Sequence, residues 1–117
     1  MKIVRVLTII LVVGLAGVSG RGVVQAGGSQ FTTVDDPNGV HGTLALSINP
    51  KGDIVGYYFD STRTPHGFLL SEGRYTTIDN PNGVHGTQAM DINPRGDIVG
   101  SYFDSTSTPH GFLLSHG

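Results

Sequence analysis

The chain contains one sequence unit twice, with the second copy displaced by 44 positions. The first copy begins "FTTVDDPNGVHG" at Phe31 and the second begins "YTTIDNPNGVHG" at Tyr75. Over residues 31–73 and 75–117 the copies differ at ten of 43 aligned positions, and most of these changes are mild. Repeats of this length are single supersecondary units that neighbouring units cover. We therefore expect both copies to adopt the same fold.

Each repeat divides into four predicted strands separated by turn residues. In the first repeat they are "FTTVD", "TLALSI", "DIVGYYF" and "HGFLLS". The third and fourth are apolar on both faces, as strands in the middle of packed sheets are, whereas "FTTVD" alternates and is predicted to be an outer strand. Glycine is frequent and helix-favouring runs are absent. The sequence therefore predicts an all-β fold.

A four-stranded unit repeated every ~40 to 50 residues is typical of a β-propeller blade. Two blades cannot close a ring, because closed propellers use about four to eight. Three arrangements remain open: several copies complete one ring, the two sheets form a small β-sandwich, or the chain is a fragment of a larger propeller. A chain of this size buries only a modest core. We therefore expect a homo-oligomer.

The hairpin between the second and third strands contains a tripeptide known from cell adhesion. "NPRG" at 93–96 is followed by Asp97, which produces Arg95-Gly96-Asp97, but "NPKG" at 49–52 has the same place in the first repeat. Asn, Pro and Gly stand at the positions that a type I turn followed by a left-handed glycine prefers. Turn chemistry therefore explains the tripeptide, and receptor binding remains a minor alternative.

The N-terminal segment has the order of a secretory signal peptide. Lys2 and Arg5 precede an apolar run at 6–18, and small residues lead to Ala26. We predict cleavage after Ala26, with an uncleaved anchor as the alternative, although the run is shorter than the ~20 residues that span a bilayer. The protein is then secreted, either extracellular or periplasmic, and has no membrane partner after cleavage.

The predicted organisation is a signal peptide at 1–26, a linker at 27–30, and repeats at 31–74 and 75–117. The segment from residue 27 onward carries nine Asp or Glu against four Lys or Arg, a formal charge of −5. Nucleic acids and anionic lipids are attracted by basic patches. This charge therefore disfavours both as partners. The chain has no cysteine, so no disulfide framework is available.

The candidate binding residues are aromatic and polar side chains that flank the predicted loop "DSTRTP" and its copy. Four histidines precede glycines without the short spacing typical of zinc ligands, so we expect imidazoles bonded to loop backbone and no metal. Asp60 and Asp104 begin the loops, where they either line a polar pocket or cap a turn, and the cap is favoured. No motif frames a catalytic residue or a cofactor site. The candidate binding residues are Tyr58, Asp60, His66, Tyr102, Asp104 and His110.

"INPRGDIVGSYFD" followed by "HGFLL" resembles the probable extracellular repeats of the HAF family, which carry a His-Ala-Phe motif and an "INxxGxIVG" stretch. Here the motif reads His66-Gly67-Phe68 and His110-Gly111-Phe112. The resemblance covers residues 31–117 and implies a secreted bacterial protein of β repeats without an established activity.

Two functions follow as expectations. The first is a non-catalytic extracellular interaction or structural module. The alternative is a small lectin with sugar sites at blade junctions, in which tyrosines would replace tryptophan as stacking surfaces because the chain has no tryptophan. Either function implies a glycan or another cell-surface ligand as partner, and neither implies an enzyme.

Overall fold

The computed structural model describes residues 23–26 and 28–115, with side chains from residue 28 onward. Most of the predicted signal peptide, together with Gly27 and residues 116–117, lies outside the described residues. The described residues contain only strands and turns, which confirms the all-β fold. None of them forms a helix long and apolar enough to cross a membrane. The strands are β1 (Val23–Ala26), β2 (Ser29–Thr32), β3 (Thr43–Ile48), β4 (Ile54–Phe59), β5 (Pro65–Ser71), β6 (Arg74–Ile78), β7 (Thr87–Ile92), β8 (Ile98–Phe103) and β9 (Pro109–Leu114).

The strands form three antiparallel sheets. β1 pairs with β2, the first sheet has the order β3-β4-β5-β6, and the second sheet has the order β7-β8-β9. The first sheet does not follow the repeat boundary, because its fourth strand, β6, is the opening strand of the second repeat. A tight hairpin explains this: Glu72 and Gly73 join β5 to β6 with φ of 49° and 81°, as a two-residue primed turn requires. β6 is an edge strand, as predicted.

The second and third strands of each repeat pair with the same irregularity. The register shifts between Ala45 and Ser47 on β3, and again between Ala89 and Asp91 on β7. Opposite the first shift stands Gly56, where a Cβ atom would lie 1.9 Å from the carbonyl oxygen of Leu44. Only glycine therefore allows the two backbones to approach this closely at the bulge.

The predicted hairpin turns are confirmed. The amide of Gly52 donates to the carbonyl oxygen of Asn49 at 2.8 Å, and Gly52 and Gly96 have φ of 89° and 93°. In the second copy, Arg95 Nη2 lies 2.7 Å from Asp97 Oδ2. The arginine and the aspartate of the adhesion-like tripeptide are thus paired with each other at a turn.

The core consists of two apolar clusters, one on each face of the first sheet. One cluster lies between the two sheets and joins Val55 to Ala89, Ile92 and Ile98. The other lies on the opposite face and contains Tyr58, Phe68 and Leu70, with Val34, Ile54 and Tyr75 packed against it. β4 and β5 are therefore covered on both faces, as their apolar sequences predicted.

Candidate functional site

A histidine held between two carboxylates lies at the start of β5. His66 Nε2 is 2.8 Å from Asp60 Oδ2, and His66 Nδ1 is 2.9 Å from Asp79 Oδ1. Asp60 comes from the loop before β5, and Asp79 directly follows β6. Because β5 and β6 are antiparallel neighbours, the end of β6 lies beside the start of β5. The site therefore requires residues of both repeats.

The loop before β5 holds Asp60 in place. One oxygen of Asp60, Oδ1, accepts hydrogen bonds from the Thr62 amide at 2.8 Å, the Thr62 hydroxyl at 2.7 Å and the Thr64 amide at 3.0 Å. The other oxygen, Oδ2, is thereby directed at His66. Asp60 is thus both the turn cap and a member of the polar cluster, so the two alternatives considered from the sequence occur together.

Tyr58 also belongs to the first cluster, because its ring contacts His66. Its ring stacks on His66 with centroids 5.2 Å apart and planes inclined by 24°, and its hydroxyl lies 3.2 Å from the Thr77 hydroxyl. Tyr58 is only 5% exposed. It therefore supports the imidazole from the core side, and its ring faces are not open to a ligand.

The second repeat builds the same cluster with one member fewer. His110 Nε2 lies 2.8 Å from Asp104 Oδ2, and Tyr102 stacks on His110 at 5.1 Å and 24°. Asp104 Oδ1 receives the Thr106 amide at 2.8 Å. Within the described residues, no second carboxylate is hydrogen-bonded to His110. Its side chain is 44% exposed, against 23% for His66.

The hydrogen bonds of the first cluster shift the pKa values of His66 and Asp60. Burial lowers the pKa of His66, but the hydrogen bonds to Asp60 and Asp79 and the charges of both carboxylates outweigh it, so the pKa lies above its ordinary 6.5. The Thr62 hydroxyl, and after it His66, hold the pKa of Asp60 well below its usual range. The cluster therefore favours an imidazolium between two carboxylates.

The second cluster also stabilises an ionised carboxylate. The hydrogen bond from His110, followed by that from the Thr106 hydroxyl, lowers the pKa of Asp104 well below its ordinary value. Both loops thus present aspartates that are ionised at neutral pH and partly open to solvent. Carboxylates of this kind accept hydrogen bonds from hydroxyl or amino groups.

All six predicted site residues lie in these two clusters, three in each. The expectation that the imidazoles bond to loop backbone is wrong for His66 and His110, because both imidazoles are hydrogen-bonded to aspartate side chains. Sequence reasoning missed Asp79. The signal was the position of Asp79 at the end of a predicted strand, but its relevance depends on β6 pairing across the repeat boundary.

The first cluster is not arranged as a metal site. Both ring nitrogens of His66 face carboxylate oxygens, whereas a metal ligand needs a free nitrogen lone pair. Among the described residues, no group of three or more His, Asp or Glu side chains is placed to hold a metal ion. No family model matches the chain, and no curated protein or solved structure is significantly similar to it.

Proposed function

We propose that this chain is a secreted, non-catalytic interaction module whose two sheets are propeller blades. One observation carries the proposal: the Tyr-His-Asp cluster is built twice with the same geometry, 2.8 Å between His and Asp in both copies and 24° between the stacked rings. Repeated, partly exposed polar clusters are what a multivalent binding surface needs.

The blade assignment is supported by how the sheets follow each other. β6 is the last strand of the first sheet, and the chain then continues into β7, which lies near β3. The Ser47 hydroxyl donates to Asp91 Oδ1, and Asn49 Nδ2 donates to the Asn93 carbonyl oxygen at 3.1 Å. β7 therefore packs across β3, β4 and β5, and its contacts with β3 join equivalent strands of the two repeats, as expected for consecutive blades. The resemblance to HAF repeats agrees with a secreted β-repeat protein.

The ligand that we propose is rich in hydroxyl groups, such as a glycan of a cell surface. Asp60 and Asp79 offer carboxylate oxygens, and the side chain of Asp79 is 49% exposed. Hydrogen bonds to such charged acceptors are stronger than neutral ones. A lectin with aromatic stacking is the less supported version, because Tyr58 is buried and Tyr102 already stacks on a histidine.

A glycan array probed with the exported protein tests this function. Asp79→Asn keeps the shape of the side chain but removes its charge, and we expect it to weaken binding at least several-fold. Glu72→Gln is the matched control, since it changes the net charge equally at the opposite end of β6 and should leave binding unchanged. Turnover of any array glycan, or equal effects of both variants, would contradict the proposal.

A further inference from the structure

The first sheet has four strands and the second has three, although the repeats are nearly identical. Among the described residues, the second sheet contains no counterpart of β6, which pairs with β5 so that Leu69 faces Thr76 and Leu70 faces Tyr75. β9 is the counterpart of β5. Among the described residues it pairs only with β8, so its other edge offers unpaired backbone groups, which edge strands use to add a further strand.

The unpaired edge leaves apolar side chains uncovered. Leu70 is 6% exposed in a cluster against which Tyr75 of β6 packs. Its counterpart Leu114 is 42% exposed. The counterpart of Tyr75 is Phe31, which is itself 61% exposed. If β2 of a second copy paired with β9 as β6 pairs with β5, Phe31 of that copy would face Leu114. The two side chains would then cover each other.

The segment that contains Phe31 is paired with β1 in the full chain. β1 pairs with β2 so that Val24 faces Phe31 and Val23 faces Thr32. This register differs from that of β5 and β6, because the residue one repeat before Leu70, the partner of Tyr75, is Ala26 and not Val24. β1 therefore does not reproduce the pairing of β5 with β6, and predicted cleavage after Ala26 would remove β1 from β2.

The broad faces of the sheets agree with the same assembly. Between the two sheets, Val55 and Ile92 are 0% and 7% exposed in one cluster. Their counterparts one repeat away are Val99 on the open face of the second sheet and Ile48 on β3, which are 45% and 61% exposed. A second copy placed head to tail would bury both, in the way that the internal contact does.

The polar clusters provide an independent indication. Asp79, which bonds His66 Nδ1, has Asp35 as its counterpart. If residues 30–34 of a second copy pair with β9 as β6 pairs with β5, Asp35 of that copy lies beside His110. In the described residues His110 is hydrogen-bonded to one carboxylate, whereas His66 is hydrogen-bonded to two. The second cluster is therefore incomplete without a residue that another copy can supply.

We propose that Gln30–Asp35 of one copy adds to the free edge of β9 in a second copy and brings Asp35 to His110. The contact is heterologous, because the strand and the edge are different surfaces of each chain. Such contacts close into rings when the rotation allows it, and about four to eight blades correspond to about two to four copies of this chain. The proposal goes beyond ligand binding and depends on the removal of residues 1–26.

Paired cysteines test the register, since the chain has none of its own. The full chain is exported as Thr32→Cys/Leu113→Cys, the pair expected to face each other between copies. Non-reducing gels should show covalently linked oligomers. Thr33→Cys/Leu113→Cys is the matched control, because a one-residue slip places the two sulfurs on opposite faces. Leu69→Cys/Thr76→Cys should form the corresponding bond within one chain, and this verifies oxidation and folding.

A second experiment covers the free edge of β9. Appending another copy of residues 74–80 after Gly117 supplies a β6-like strand within the same chain, because His116 and Gly117 are the counterparts of Glu72 and Gly73. Light scattering should then change from an oligomer, for the unmodified exported chain, to a monomer. The proposal is overturned if the unmodified chain is monomeric, if the Thr32/Leu113 pair links only within one chain or not at all, or if the appended strand leaves the oligomer intact.

Discussion

Asp79, which the second repeat contributes, lies 2.9 Å from Nδ1 of His66 in the first repeat. This contact joins the two repeats through a charged pair, and Asp60 holds the other nitrogen of the same ring. The stability of the sheet is therefore linked to the protonation of one histidine.

We expect the Asp79 contribution to stability to depend on pH. The pKa of His66 in the folded protein is raised above 6.5. The interaction of protonated His66 with Asp79 therefore stabilises the fold fully below pH 6.5, and this stabilisation is lost as the pH rises through the raised pKa. The difference in unfolding free energy between the wild type and Asp79→Asn should shrink over that range. Denaturant unfolding at several pH values measures it, and Glu72→Gln is the control for the loss of one carboxylate. A difference that grows with pH would contradict the prediction.

Gly96→Val should destabilise the protein far more than Arg95→Ala. Gly96 has φ of 93°, which β-branched residues resist, and strain of this kind costs ~1–3 kcal/mol. Arg95 is 81% exposed in its side chain, and an exposed ion pair contributes ~0–1 kcal/mol. Thermal melts of both variants compare the two effects. Gly52→Val should repeat the result in the first repeat, and a larger loss for Arg95→Ala would refute the turn assignment.

Leu70→Ala and Leu114→Ala form a matched pair at equivalent positions. In the unassembled chain Leu70 is 6% and Leu114 is 42% exposed. We expect Leu70→Ala to cost ~2–5 kcal/mol and Leu114→Ala clearly less. If copies assemble through β9, the two costs should converge at concentrations at which the oligomer forms. Unfolding measured as a function of protein concentration shows whether the gap closes; a constant gap would show that Leu114 stays uncovered.

Exported protein should begin at Gly27. The charged, apolar and small-residue segments before Ala26 motivate this prediction. N-terminal sequencing of protein from the culture medium or periplasm determines the site. Ala26→Arg should block processing, because signal peptidase requires a small residue there. A wild-type chain that starts at Met1 in the membrane fraction would identify the segment as a retained anchor.

The sequence by itself determined the local structure. Repeat identity, glycines at the turns and strands apolar on both faces predicted the all-β fold, the left-handed Gly52 and Gly96, and the outer position of the opening strand. These features depend on backbone sterics and on side-chain periodicity within a few neighbouring residues. The six candidate residues were also chosen from local spacing, and the structure gathers them into two clusters.

Only the tertiary structure decided which strands share a sheet and which charges meet. β6 leaves its own repeat to pair with β5, and this places Asp79 beside His66, 13 positions apart in the chain. The tight hairpin at Glu72 and Gly73 turns the chain back on β5, and the burial of Phe68 and Leu70 stabilises this pairing across the repeat boundary. Two nearly identical repeats therefore differ in their surroundings, because β5 has β6 beside it, whereas β9 pairs only with β8 in the part of the chain that the structure describes.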